Sequence, residues 1–191
     1  LVTGGESAGA IGAAFWAGEI GDRWPDAQLV VVGDAAGGYR ARATNTLLRH
    51  WGALDDLPKV PAFADLDRVY FETFYIAAGQ RHRTARLAEV NHADDVIQRR
   101  FMAMLGTPVP DLTKPLQCNL NEVRINAPGF HSFIYPGTEH VMLRTSGVYT
   151  TRCENQSLVA WLDDLIAGRP VETHWCDGTS TLHTNSAAPP L

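Results

Sequence analysis

The stretch Leu1-Val2-Thr3-Gly4-Gly5-Glu6-Ser7-Ala8-Gly9-Ala10-Ile11-Gly12 constrains this chain more than any other. It contains Gly5-Glu6-Ser7-Ala8-Gly9, a G-x-S-x-G pattern. In a nucleophile elbow a strand ends abruptly, one serine occupies a strained turn and a helix starts at once, and the flanking glycines let strand and helix backbones approach closely. The flanks meet that demand. Leu1-Val2-Thr3 is β-prone, and residues 8–20 are rich in Ala, with Phe15, Trp16 and Ile20 late in the run. Because Gly, Ser and Ala are common, the pentapeptide alone also describes a Gly-rich strand-to-helix turn with a passive serine.

The rest of the chain supplies context. After Trp24-Pro25-Asp26-Ala27 breaks the helix, residues 28–33 read as a fully buried strand, and a helix between two apolar strands implies a parallel sheet. That strand delivers Asp34-Ala35-Ala36-Gly37-Gly38 to the C-terminal edge of the sheet, where sites of open α/β folds collect. Asp34 is therefore a candidate site residue, or else a carboxylate that serves its own Gly-rich turn. Helices are expected over 43–51 and 65–79, and of the aromatics Tyr70, Phe71, Phe74 and Tyr75 in the second most are expected in the core, with a pocket lining as the alternative.

A strand over 83–91 precedes His92-Ala93-Asp94-Asp95 and a helix over 96–105. An aspartate in that loop suits a triad acid and also suits a helix N-cap, so one of Asp94 and Asp95 is expected to cap and the other to face the site. Residues 108–115 form a loop and 116–126 a helix, and a strand over 130–135 ends at Pro136-Gly137-Thr138-Glu139-His140. His140 is the best placed of the seven histidines to reach Ser7, whereas His92, beside acidic residues, reads as structural and His131 points into a packed face. A short strand over 148–151 and an amphipathic helix over 157–167, stopped by Gly168-Arg169-Pro170, complete the pattern. Residues 179–191 look like a poorly ordered tail. Serine, then acid, then histidine, each after a strand, is the order of α/β-hydrolases.

With 191 residues, 45% hydrophobic and 19% charged, the chain suits one core and one domain. A net charge of -5 gives no reason to expect nucleic acid or an anionic membrane as partner. Cys118, Cys153 and Cys176 lack metal-ligand spacing, so neither a metal nor another cofactor is expected. Cys153 and Cys176 bracket the last helix and would pair sensibly in a secreted protein; three buried thiols in a cytosolic one is the alternative.

Thr3-Gly4-Gly5-Glu6-Ser7-Ala8-Gly9-Ala10-Ile11-Gly12-Ala13, Gly33-Asp34-Ala35, Asn91 to Gln98 and Pro136 to His140 resemble the pectin acetylesterase and Notum family of carboxylic-ester hydrolases over nearly the whole chain. The resemblance implies an α/β-hydrolase-like, mostly parallel sheet with helices on both faces, seen here as the C-terminal part of a catalytic domain. Strands flanking the first one are expected from sequence upstream of Leu1, on the same chain or on a separate one. In that family the acid stands three residues before a glutamine, which selects Asp95 with Gln98 over Asp94. Asp34 matches an acidic residue of structural or substrate-side role. Glu6 departs from the pattern, since the family usually has an uncharged residue there.

The implied chemistry is acyl transfer to Ser7, with His140 as base, Asp95 orienting it, and the Ala8 N–H as one oxyanion donor. The second donor is expected from the upstream segment. The implied substrate is an O-acetyl or other ester of an extracellular polysaccharide or polymer, and the implied location is secreted or periplasmic, with no membrane or nucleic-acid partner. A lipase or peptidase on the same fold and a non-catalytic binding domain are the alternatives.

Overall fold

The computed structural model describes residues 1–176, so the proposed tail over 179–191 and His183 lie outside the described residues. Val2–Glu6 (β1), Val30–Asp34 (β2), Arg86–His92 (β3), Phe130–Tyr135 (β4) and His174–Trp175 (β7) form a sheet in the order β1-β2-β3-β4-β7, parallel at every pairing. Arg152–Cys153 (β5) and Gln156–Ser157 (β6) form a separate antiparallel hairpin. The helices are α1 (Ala8–Arg23), α2 (Thr44–His50), α3 (Phe71–Arg81), α4 (Val96–Met104), α5 (Thr113–Asn126) and α6 (Leu158–Ile166). The described residues thus form an α/β fold with a five-stranded parallel sheet and six α-helices.

The three crossovers from β1 to β4 all step the same way across the sheet, and right-handed crossovers of that kind bring their helices to one face. Accordingly Val31, Leu87, Phe130 and Ile134 meet α1, α3 and α5. The alternate residues Val30, Val32, Ala88, Val90 and Phe133 meet Leu158, Trp161 and Leu165 of α6 on the other face. Burial on both faces is why these strands read as apolar runs. Among the described residues β1 lies at one edge of the sheet, and Leu1 and Val2 are exposed there.

Several boundaries differ from the sequence reading, each for a local reason. The expected helix over 65–79 is a 3-10 turn, Leu66–Arg68, followed by a separate α3. Tyr70, extended at φ -124° and ψ 177°, starts α3 with a capping box in which its backbone N–H donates to Thr73 Oγ1 at 2.9 Å. The expected strand over 148–151 is instead a 3-10 turn, Ser146–Tyr149, before the hairpin. Helix α5 begins at Thr113, with Pro115 accepted in a first turn whose N–H groups have no intrahelical partner. Strand β7 carried too few residues to show a period.

The expected disulfide is present: Cys153 and Cys176 are bonded with Cα atoms 5.6 Å apart. It closes a loop with a sequence separation of 23, worth about 3 kcal/mol in the chain-entropy account. It joins the β5–β6 hairpin to the end of β7, and Trp161 Nε1 donates to Glu172 O at 2.7 Å within the same loop. Cys118 is free and exposed.

Candidate active site

Four consecutive parallel strands deliver chemistry to one edge of the sheet: Ser7 follows β1, Asp34 ends β2, Asp95 follows β3 and His140 follows β4. Ser7 sits at φ 52° and ψ -120°, in the left-handed half of conformational space, and α1 starts at the next residue. Its N–H donates to Asp34 O at 2.7 Å. A Cβ on Gly5 would collide with Gly9 O and lie 2.9 Å from Ala10 N, so strand and helix backbones touch here as an elbow demands. Gly9 itself faces open space, so the close approach depends on Gly5 alone. Ala8 opens the helix exposed, where backbone N–H groups lack intrahelical acceptors.

Asp95 is fully buried and serves two partners at once. Its Oδ1 caps α4 by accepting from Ile97 N at 2.8 Å and Gln98 N at 3.0 Å, and its Oδ2 lies 2.6 Å from His140 Nδ1. The sequence reading divided capping and site roles between neighbours; the structure joins both in Asp95, because one carboxylate has lone pairs enough for both. Asp94 turns away, accepting from Leu112 N at 2.8 Å and pairing with Arg99 at 3.3 Å. In the neutral tautomer that directs Nδ1–H at this carboxylate, His140 Nε2 is the acceptor.

The His140 loop is anchored from every neighbouring strand. Val141, a β-branched residue at φ 61°, turns the backbone sharply, a conformation costing about 1–3 kcal/mol. The turn aims the N–H groups of Met142 and Leu143 at Asp34 Oδ2, both at 2.7 Å. Asp34 is fully buried, burial holds its carboxyl above the ordinary range, and its Oδ1 has no hydrogen-bond partner among the described residues. The carboxylate thus holds the histidine loop rather than its own turn. His92 Nε2 lies 3.2 Å from Glu139 and its Nδ1 lies 3.3 Å from Tyr135 Oη, a structural placement for this histidine. Glu6 pairs with Arg144 at 3.0 Å on the exposed rim, an ion pair worth at most about 1 kcal/mol. His131 is half-buried in β4, away from these groups.

Ser7 and His140 share no hydrogen bond in this structure. Ser7 Oγ instead meets Tyr39 Oη at 3.4 Å. Tyr39 had no sequence signal, being an isolated aromatic beyond a Gly-rich turn. Serine–base contacts often tighten only with substrate present.

Behind Asp95 runs a buried polar chain. Gln98 Nε2 donates to Asp95 Oδ2 at 3.1 Å and to Asn91 Oδ1 at 3.0 Å, Asn91 Nδ2 donates to Glu89 Oε2 at 3.0 Å, and Tyr75 Oη donates to Glu89 Oε1 at 2.6 Å. Gly33 is the β2 neighbour of Glu89, and a side chain there would overlap Tyr75 Oη and Glu89 Oε1. Burial pushes the Glu89 carboxyl up to about 7, against hydrogen bonds that lower it.

A stability effect follows from that raised value. The unfolded chain ionises Glu89 from about pH 4.5 while the native state holds the proton to about 7, so this contribution is complete below pH 4.5 and is lost as pH rises to 7. The loss is on the order of 3 kcal/mol. Glu89→Gln should remove this part of the slope in urea-unfolding free energies measured from pH 4.5 to 8. Parallel pH profiles for the two proteins would refute it.

Among the described residues no group of three or more His, Cys, Asp or Glu is arranged to hold a metal, and no helix is long and apolar enough to cross a membrane. The sequence matches no model of a known protein family and no curated protein.

Proposed function

We propose that this chain carries a serine carboxylic-ester hydrolase site on an α/β-hydrolase-like sheet, with Ser7 as nucleophile, His140 as general base and Asp95 as the acid orienting it. One observation carries the reading: a serine in a left-handed turn opens a helix at the sheet edge where a fully buried carboxylate holds a histidine at 2.6 Å. His140 Nε2 takes the serine proton as Oγ attacks the ester carbonyl, then gives it to the departing alcohol oxygen. Water, deprotonated by the same nitrogen, attacks the acyl-enzyme, and the carboxylic acid leaves as Ser7 regains its proton. The Ala8 N–H, at the positive end of α1, is placed to donate to the oxyanion.

The substrate class rests on the motif likeness to pectin acetylesterases and Notum: an O-acetyl or related ester on an extracellular polysaccharide or polymer. The disulfide favours an oxidising compartment, in keeping with a secreted or periplasmic protein. A fluorophosphonate probe should add one phosphonyl group, and tryptic digestion should place it on the peptide that ends at Arg23 and holds Ser7. A folded sample that stays unlabelled would favour a binding domain without catalysis.

A further inference from the structure

Acyl transfer needs more than one donor at the oxygen that becomes charged, and the loop after β2 is built to bring one. Three consecutive backbone N–H groups are each held by a buried side chain: Ala36 by Glu89 Oε2 at 3.4 Å, Gly37 by Asn91 Oδ1 at 3.1 Å and Gly38 by Gln98 Oε1 at 2.8 Å. Asn119 Nδ2 holds Gly37 O at 3.2 Å from α5. A Cβ on Gly38 would lie 2.7 Å from Leu112 Cδ1, so the loop is enclosed as well as bonded. Its next residue is Tyr39. The Tyr39 ring is packed edge-on against Phe71 at 5.9 Å and Phe101 at 5.1 Å, is 4% exposed, and has its carbonyl bound by Thr44 Oγ1 at 3.1 Å. What this scaffold fixes is one hydroxyl, 3.4 Å from Ser7 Oγ.

Burial raises the Tyr39 phenol to about 12, so at neutral pH the hydroxyl keeps its proton and serves as a donor. A serine oxygen can accept from Tyr39 while giving its own proton to His140. When Oγ bonds to the carbonyl carbon, the carbonyl oxygen comes to lie one atom beyond Oγ, within reach of a donor that already touches Oγ.

We infer that Tyr39 is a catalytic residue whose hydroxyl donates to the oxyanion formed at Ser7, together with the Ala8 N–H. The inference rests on the ester-hydrolase reading. As the Oγ–C bond forms, the carbonyl π pair moves to oxygen and the serine proton moves to His140 Nε2. Tyr39 lends a hydrogen bond without transferring its proton. When the π bond re-forms, the alcohol oxygen leaves with the proton from His140. The loop after β2 thus adds a side-chain donor of its own, beside the donor expected from sequence upstream of Leu1.

The test is Tyr39→Phe, which removes one oxygen and keeps the ring packed. With p-nitrophenyl acetate, kcat should fall about 10²–10³-fold while KM changes less than about threefold. A trifluoromethyl ketone, which forms a tetrahedral oxyanion on the serine, should lose affinity by the same factor as kcat/KM, with the melting temperature kept within a few degrees. An unchanged kcat, or unchanged ketone affinity, would overturn the role of Tyr39 while wild-type turnover and Ser7 labelling leave the hydrolase reading standing. A variant that no longer folds would make the hydroxyl structural and overturn it too. Wild-type protein with neither turnover nor labelling would sink both.

Discussion

Ser7→Ala should lower hydrolysis of p-nitrophenyl acetate by about 10⁴–10⁶-fold, the cost of removing a nucleophile that acts as a unit with its base. The change is structurally small. Ala keeps the Cβ already accommodated at φ 52°, the N–H bond to Asp34 O remains, and only the 3.4 Å contact to Tyr39 Oη is lost. Melting temperature should therefore move by only about 2 °C, so a loss of rate reads as chemistry rather than unfolding. Turnover at the wild-type rate would end the nucleophile assignment.

Asp95→Asn should reduce kcat about 10⁴-fold, and here the fall has two separable parts. The amide oxygen can still accept from Ile97 and Gln98, so the α4 cap survives in outline. The amide nitrogen, however, would face His140 Nδ1 and Gln98 Nε2, both of which donate to Asp95 Oδ2 in the wild type. To accept from the asparagine, His140 must move its proton to Nε2, where it can no longer take one from Ser7. The donor–donor conflict with Gln98 should cost a further 1–3 kcal/mol or so of stability. Asp94→Asn is the matched control, because Asp94 binds Leu112 and Arg99 outside the site, and its rate should stay within a few-fold of wild type. Equal losses in the two variants would mean the effect is structural.

Much of the local structure was legible because it depends on local patterns. The β4 boundaries, the α6 span with its stop at Gly168, at φ 76°, and the serine turn all follow from periodicity and from residues with restricted backbone choices. The split near Tyr70 was not legible, because tyrosine is not a recognised cap and the apolar spacing runs unbroken through it. Glu89 was not legible either. An alternating strand places a carboxylate on the polar face, yet β3 lies between β2 and β4 and is covered on both sides, so Glu89 is fully buried and finds Tyr75.

By itself the sequence determined the strand-to-helix turn at Ser7, the order of serine, acid and histidine, and the parallel arrangement that puts them at one edge, because these follow from residue type and from the succession of strands and helices. That Asp95 both caps α4 and meets His140, what Asp34 holds, and that Tyr39 reaches Ser7 were decided by tertiary structure alone. Each depends on where a side chain points across strands that are far apart in sequence. That direction is set by burial and by competition for hydrogen bonds, which no single segment contains.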